Sequence, residues 1–200
     1  MTKAQSNPKW PEIEDGETAA LPFRPPLTVS HDALLTDQSD LAFRDTLYLM
    51  VLSLGRLQAC REAFGRTIGL TGSQFAVLLG VAYRQGEDGV SIRDLAEHVH
   101  LFATHVTTEV GQLMRKGLLI KRPNVADRRS VLVRLTKQGE GAVAGLAPFM
   151  RSVNDLLFQD VTREDMGRLR EIFQRLLLNS ENALAELRRR ELSQMLDTEA

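Results

Sequence analysis

The chain has 200 residues, a hydrophobic content of 43% and a net charge of −1, values typical of a globular protein with one or two ordinary domains. No apolar run approaches the roughly 18 residues of a membrane span, and the N-terminus lacks the basic and apolar stretches of an export signal, so we expect a cytoplasmic protein without membrane contact. The single cysteine, Cys60, excludes an internal disulfide and a zinc site built on several cysteines.

Positive charge is concentrated in the middle of the chain. Residues 91–139 carry nine Lys and Arg against four Asp and Glu, a net charge of +5, whereas residues 1–40 carry −4 and residues 140–200 carry −3. A polyanion responds to the surface that it contacts rather than to the total charge of the protein, because binding releases the counterions of the contacted phosphates. The near-neutral total therefore leaves nucleic acid open as a partner.

The N-terminal segment differs in composition from the rest of the chain. Five of the seven prolines fall in residues 1–38, together with an acidic cluster that begins at Glu12. Proline interrupts regular helices and few apolar residues are available for burial, so we expect an extended or disordered arm. Trp10 and Phe23 are candidate anchors for this arm, and the alternative is a loose, solvated tail.

Three helices are predicted in succession from residue 39 onward. Apolar residues recur at helical spacing over residues 39–69, which predicts one long amphipathic helix. A T-x-x-Q capping box at Thr71 opens a second helix, which we expect to stop near Gly86. An S-x-x-D sequence at Ser91 caps a short third helix.

A fourth helix and a hairpin follow. The helix has one apolar side and is expected to stop at Gly117, because glycine after a basic residue is a common helix end. Residues 118–121 can then pair with residues 131–135, where apolar and polar residues alternate. The tip of this hairpin, residues 123–130, is polar and basic.

Two more helices are predicted after Thr136, and the second is capped by Thr162 and Asp165. The apolar stripes of the first and last helices are too long for a small lobe to cover. Exposed apolar patches of this kind mark partner surfaces, so we predict a homodimer.

The order of these elements is that of a winged helix-turn-helix, with a short helix, a turn, a second helix and a basic hairpin. We therefore predict a mainly α fold with long N- and C-terminal dimerisation helices and a small β-hairpin wing. The predicted parts are an arm (1–38), a dimerisation helix (39–69), a winged helix-turn-helix that binds DNA (70–138) and C-terminal dimerisation helices (139–200).

The fourth helix places short polar side chains opposite its apolar side, given about 100° of rotation per residue. Such side chains can approach base edges and phosphates without burying an unpaired charge, and an arginine at the wing tip can enter a narrow minor groove. The alternatives are the solvated face of a surface helix and an ordinary charged turn. The candidate DNA contacts are Thr104, His105, Thr107, Thr108, Gln112, Arg122, Arg128 and Arg129. Asp127 is expected to support the wing by pairing with Arg129, because an unpaired carboxylate would repel DNA.

A family resemblance rests on the segment from Leu70 to Gly139. Its sequences "SIRDLAEHV" and "THVTTEVGQLMRKGLLIKRPNVADRRSVLVRLTKQGE", with an Asp-x-Arg wing, resemble the MarR family of multiple-antibiotic-resistance repressors. The resemblance extends over about residues 40–190. It implies a dimer with intertwined terminal helices that places one winged lobe of each chain on a palindromic operator.

The same resemblance assigns roles to single residues. It implies that Arg129 reaches the minor groove and that the helix over residues 103–116 reads the major groove. Two residues depart from the family's pattern, His105 and Glu109. We expect Glu109 to point sideways from the DNA-reading side.

The resemblance also implies a ligand crevice, often suited to aromatic acids or their thioesters. Arg56, Arg61 and Arg66 are the candidate ligand contacts, although each is more simply explained as a solvated or ion-paired surface arginine. The expected function is a ligand-responsive transcriptional regulator, in the commoner mode of the family a repressor, which a small ligand releases from DNA. The alternative is a winged-helix protein-interaction module that does not bind DNA.

Other chemistries are weakly supported. Cys60 lies next to Arg61, but a lone cysteine near the end of a helix is usually inert packing rather than a redox sensor. His98, His100 and His105 do not share one helical face and lack a further ligand, so no metal site is expected. No phosphate-binding glycine loop or nucleophile motif occurs, and we expect neither an enzyme nor a cofactor.

Overall fold

The computed structural model describes residues 23–124, 127 and 130–198, so the predictions for Trp10, Arg128 and Arg129 fall outside the described residues. The chain divides into two compact units, residues 1–57 and 58–200. The elements in chain order are a 3-10 helix Asp32–Leu34, α1 Leu41–Thr67, α2 Gly72–Arg84, β1 Val90–Ser91, α3 Ile92–Val99, α4 Ala103–Arg115, β2 Leu119–Pro123, β3 Val131–Leu135, α5 Lys137–Leu157 and α6 Arg163–Thr198.

In the first unit, the segment before α1 is held by polar contacts. The backbone N–H and the hydroxyl of Thr28 both donate to Oδ2 of Asp40, at 2.7 and 2.6 Å. Asp40 is buried, and these donors, the Thr28 hydroxyl first, lower its pKa below the usual value. Phe23 is 85% exposed within the single chain, so its role as an anchor of the arm against a partner chain stays a prediction.

The core of the second unit lies between α2, α3, α4 and the sheet. The Thr71 side chain accepts from the Gln74 N–H and the Gln74 side chain accepts from the Thr71 N–H, which confirms the capping box of α2. Ser91 likewise accepts from the Asp94 N–H at the start of α3. The fully buried apolar side chains are Val77, Leu78, Val81, Leu95, Val106, Val110, Leu113 and Val133.

The hairpin belongs to a three-stranded antiparallel sheet with the order β1-β3-β2. Lys121 of β2 and Val90 of β1 both pair with Val133 of β3. The strand β1 was not predicted, because two residues are too few to show an alternating pattern. Its position closes the sheet against α3, which follows directly along the chain.

Two glycines permit close backbone contacts around the wing. Gly117 has φ of +73° after the end of α4, which only glycine adopts readily, and it confirms the expected helix stop. At Gly139, in the first turn of α5, a Cβ atom would collide with the carbonyl oxygen of Leu118. The wing and α5 can therefore approach closely only with glycine at this position.

The last helix is capped as predicted but leaves its apolar side uncovered. Thr162 and Asp165 exchange hydrogen bonds at the start of α6, and the Thr162 hydroxyl lowers the pKa of Asp165. The exposed apolar residues include Leu169, Phe173, Leu176, Leu177, Leu184 and Leu187. No helix in the described part of the chain has both the length and the apolarity that crossing a membrane requires.

Candidate nucleic-acid interface

Helix α4 presents one buried and one exposed side. Val106, Val110 and Leu113 pack into the core and hold the helix against α2 and α3. His100 follows α3 in the left-handed conformation, with φ of +53°, and the chain turns there into α4. This arrangement of α3, turn and α4 is a helix-turn-helix in which the polar side of α4 faces outward.

Three threonines occupy the exposed side of α4. The hydroxyls of Thr107 and Thr108 donate to the carbonyl oxygens of Ala103 and Thr104, at 2.8 and 3.1 Å. Because the hydroxyl hydrogen is used within the helix, each of these oxygens can only accept a hydrogen bond from a group outside the helix. Such a surface suits the amino groups of bases and the methyl group of thymine.

His105 and Glu109 form a pair on the flank of α4. Nε2 of His105 lies 3.4 Å from Oε1 of Glu109. Glu109 is only 8% exposed, and its Oε2 atom is buried without a hydrogen-bond partner among the described residues. Glu109 therefore points sideways from the DNA-reading side, as expected, because its helical position places it beside the apolar side of α4.

Gln112 is held from the protein side. The amide nitrogen Nε2 of Gln74 donates to Oε1 of Gln112 at 2.6 Å, which links α2 to α4. Gln112 is half-buried, so part of its amide group remains accessible. Lys116 makes a second link near the end of α4, where its Nζ donates to the carbonyl oxygen of Gly69 at 2.8 Å.

A cleft of about 600 Å³ separates α4 from the wing. Arg93 of α3 and Lys121 of β2 contribute positive charge to it, beside Thr107 of α4. Its remaining lining residues are Ser91, Ile92, Asp94, Ala103, Asn124, Asp127, Ser130 and Val131. A cleft with cationic side chains next to an outward polar helix can receive the backbone of a nucleic acid.

Arg93 and Lys121 were missed as candidates in the sequence. Arg93 is the second residue of the short capped helix α3. The sequence predicted that this helix lies near a basic wing, and this could have suggested Arg93 as a cation of the same surface. Lys121 was passed over in favour of Arg122. Strand pairing places Lys121 on the face of Val133, whereas Arg122 pairs with Leu132 on the opposite face and does not line the cleft.

The described part of the wing tip is a hydrogen-bonded turn. Asn124 donates through Nδ2 to Oγ of Ser130 at 2.8 Å, and the Ser130 N–H donates to the carbonyl oxygen of Asp127 at 3.0 Å. The expected pairing of Asp127 with Arg129 involves a residue outside the described ones and stays a prediction, as do the roles of Arg122, Arg128 and Arg129.

The three arginines proposed to bind a ligand have different surroundings. Arg66 lines a polar cavity of about 350 Å³ with Gln58, Glu62, Leu70, Thr71, Gly72 and Ser73. Its Nη1 atom lies 3.9 Å from Oε2 of Glu62. Arg61 is half-buried with an Nε atom that has no hydrogen-bond partner among the described residues, and it does not line this cavity. Arg56 belongs to the first unit and is exposed.

The residues considered for other chemistries show no assembled site. Cys60 is a half-buried free thiol packed against the core. Within residues 23–124, 127 and 130–198, no group of three His, Cys, Asp or Glu side chains is arranged to hold a metal ion.

The fold and the comparison with known proteins indicate one class of protein. The helix-turn-helix and the sheet together define a winged helix-turn-helix. A family model described as MarR family matches residues 68–130, about a third of the chain, so this segment is similar to the MarR family. The family resemblance and the fold class expected from the sequence are thereby confirmed.

Two curated relatives match the middle of the chain. The transcriptional activatory protein BadR of Rhodopseudomonas palustris is 34% identical over 100 residues, which are 47% of this chain and 57% of that protein. The uncharacterized HTH-type regulator YwhA of Bacillus subtilis is 28% identical over 88 residues, 44% of this chain and 62% of that protein. The matches therefore span about six-tenths of the length of these relatives. Both relatives are named as regulators of transcription.

Solved structures share the fold. The regulator CouR of Rhodococcus jostii, bound to p-coumaroyl-CoA, has a TM-score of 0.60 at 19% identity and covers 69% of this chain and 95% of its own. The M. tuberculosis regulator MOSR in complex with DNA has a TM-score of 0.54 at 23% identity, with coverage of 68% and 96%. PcaV of Streptomyces coelicolor, in complex with its natural ligand, has a TM-score of 0.51 at 25% identity, with coverage of 64% and 90%.

Proposed function

We propose that this protein regulates transcription by binding double-stranded DNA as a homodimer. The observation that carries the proposal is the outward polar side of α4 beside a cleft that contains Arg93 and Lys121. Helix α4 lies in the major groove, where Thr104, His105, Thr107, Thr108 and Gln112 approach bases, and the wing follows the adjacent backbone and minor groove. The solved complex of MOSR with DNA supports this mode of binding for the fold.

A second copy of the chain covers the apolar side of α6. More than six large apolar residues of this helix are at least a third exposed, a surface too apolar to remain in water. A two-fold dimer repeats the winged lobe, so its operator is a palindrome with half-sites about 10 base pairs apart. Binding at such a site blocks a promoter when the two overlap. Because BadR is named an activatory protein, a reporter assay must be able to detect activation as well as repression.

A small anionic ligand releases the protein from DNA in this proposal. The cavity offers the Arg66 cation, two hydroxyl groups and one side-chain amide to a carboxylate, which would compete with Glu62 for Arg66. The ligand complexes of CouR and PcaV support ligand response in proteins of this fold, and p-coumaroyl-CoA is an aromatic acyl thioester. A ligand shifts the equilibrium only if it binds the DNA-free arrangement more tightly. Loss of ligand response in Arg66→Gln, with unchanged DNA affinity in the absence of ligand, tests the assignment.

The central test is an electrophoretic mobility shift with the DNA upstream of the protein's own gene, repeated across salt concentrations. The logarithm of the affinity should fall linearly with the logarithm of the salt concentration, and Arg93→Gln and Lys121→Gln should each reduce the slope by about one. Arg129→Ala should cost about 1–3 kcal/mol if it makes a specific groove contact. Arg168→Gln is the matched control, because Arg168 is an exposed cation on α6 paired with Glu164.

A weak, salt-insensitive interaction that these variants leave unchanged would contradict DNA binding. It would favour the alternative of a winged-helix module that binds protein.

A further inference from the structure

A chain of three hydrogen-bonding groups runs from the start of α2 to the flank of α4. The backbone N–H of Thr71 donates to Oε1 of Gln74 at 3.3 Å, and Nε2 of Gln74 donates to Oε1 of Gln112 at 2.6 Å. Gln74 is only 4% exposed. A buried amide that loses its partners costs free energy, so both of its ends are constrained at once.

The backbone N–H of Thr71 fixes the orientation of the amide groups of Gln74 and Gln112. The oxygen and nitrogen of a glutamine amide are interchangeable in shape, and only the hydrogen-bond network distinguishes them. A backbone N–H can only donate, so the atom of Gln74 that faces Thr71 is the oxygen. The nitrogen of Gln74 then faces Gln112, and the atom of Gln112 that receives it is again the oxygen.

Gln112 therefore turns its amide nitrogen away from α2. No hydrogen bond from this nitrogen exists within the described part of the chain, and Gln112 is half-buried rather than enclosed. A free glutamine reads adenine through both amide atoms, accepting from N6 and donating to N7. Because the Gln112 oxygen faces Gln74, the part of the amide that faces outward is its NH2 group, which only donates. Guanine matches an outward NH2 group best, because it presents two adjacent acceptors, O6 and N7, whereas adenine places a donor beside its N7.

We propose that Gln112 determines sequence specificity by reading guanine in each half-site, and that Gln74 is a positioning residue that fixes the direction of the Gln112 amide. This proposal rests on the proposed function, because it requires α4 to lie in the major groove. It goes further by naming the base and the residue that sets the preference.

The experiment is selection from a randomised DNA duplex library, with the full-length wild-type protein and three variants. Wild type should prefer guanine at one symmetry-related pair of positions by roughly ten-fold over adenine, as expected for a direct base contact. Gln112→Ala should lose the preference at this pair alone. Gln74→Met, which frees the Gln112 amide to rotate, should admit adenine there without changing the other positions.

Gln74→Glu is the sharpest variant. Its carboxylate keeps the capping box, because a glutamate at this position also accepts from the Thr71 N–H. Its second oxygen can only accept, so Gln112 must turn its nitrogen inward and its oxygen toward DNA. The preference should then move from guanine to a base with a donor, cytosine or adenine.

The outcomes separate the two proposals. If wild type enriches no sequence, the proposed function fails. If a motif is enriched but neither Gln112→Ala nor Gln74→Glu alters the preference at any position, the function stands and this inference is overturned. If Gln74 has only a structural role, its variants should bind all DNA sequences more weakly by the same factor, and that outcome would contradict the proposal. Thermal unfolding of each variant identifies any that does not fold. A further measurement places 7-deazaguanine, which lacks the N7 acceptor, in the selected site. This base should weaken DNA binding by the wild type but not by Gln112→Ala.

Discussion

Helices α2, α3 and α4 bury their apolar sides against one another, whereas α6 leaves its apolar side exposed. Leu78 and Leu113 have no exposed surface, but Leu177 and Leu184 of α6 are each more than half exposed. Leucine thus contributes differently to the stability of the single chain in these two regions. The winged lobe has its core within a single chain, and the apolar side of α6 contributes to stability only when something else covers it.

The largest expected effect is in the core of the winged lobe. Leu78→Ala should lower the free energy of unfolding by about 2–5 kcal/mol, because it removes buried methyl groups and leaves a cavity. Leu178→Ala on α6 is the control, since this leucine is 74% exposed and lies off the apolar stripe. Urea unfolding at one protein concentration compares the two. Equal losses would show that the regions do not differ as proposed.

The next effect concerns the dimer. Leu184→Glu should raise the dimer dissociation constant about thirty-fold, equivalent to roughly 2 kcal/mol, because a charge enters an apolar contact. Asn182→Glu introduces the same charge on the opposite side of α6, where the residue is exposed, and should leave the constant unchanged. Sedimentation velocity across a concentration series measures both. A monomeric wild type would contradict the proposed dimer and remove the reason for the exposed stripe.

Loss of a helix cap should lower the free energy of unfolding by the same amount in both regions, whereas loss of an apolar side chain should not. Thr71→Ala at the start of α2 and Thr162→Ala at the start of α6 each remove an oxygen that accepts a backbone N–H. Each should cost about 1 kcal/mol. Urea unfolding at a concentration where the protein is fully dimeric measures the change, and Thr→Ser variants, which keep the accepting oxygen, should recover most of it.

The smallest effect lies in the segment before α1, which polar contacts hold. The hydrogen bonds from Thr28 lower the pKa of Asp40, so their stabilising contribution is present above the ordinary carboxyl pKa and is lost as pH falls through the lowered value. The Asp40 carboxyl resonance should therefore titrate below 3.8. In Thr28→Val the titration should move up toward that value. An unchanged midpoint would show that the Thr28 hydroxyl does not stabilise the charged form.

Much of the fold could be predicted because its signals are local. The caps at Thr71, Ser91 and Thr162 each involve residues three positions apart, and the helix stop at Gly117 depends on one backbone conformation. The order of helices and hairpin predicted the winged helix-turn-helix and its outward threonines. These features follow from backbone hydrogen bonding within a turn and from helical periodicity, which neighbouring residues alone determine.

Other features depend on which distant residues meet. Gln74 and Gln112 are 38 positions apart, and nothing in either neighbourhood indicates that one fixes the amide direction of the other. The burial of Glu109 and the choice of Lys121 over Arg122 for the cleft follow from helix packing and strand register. Only the tertiary structure decided these points, because contacts between distant elements set how deeply a residue beside the apolar side of a helix is buried, and strand register sets which strand residues face the cleft.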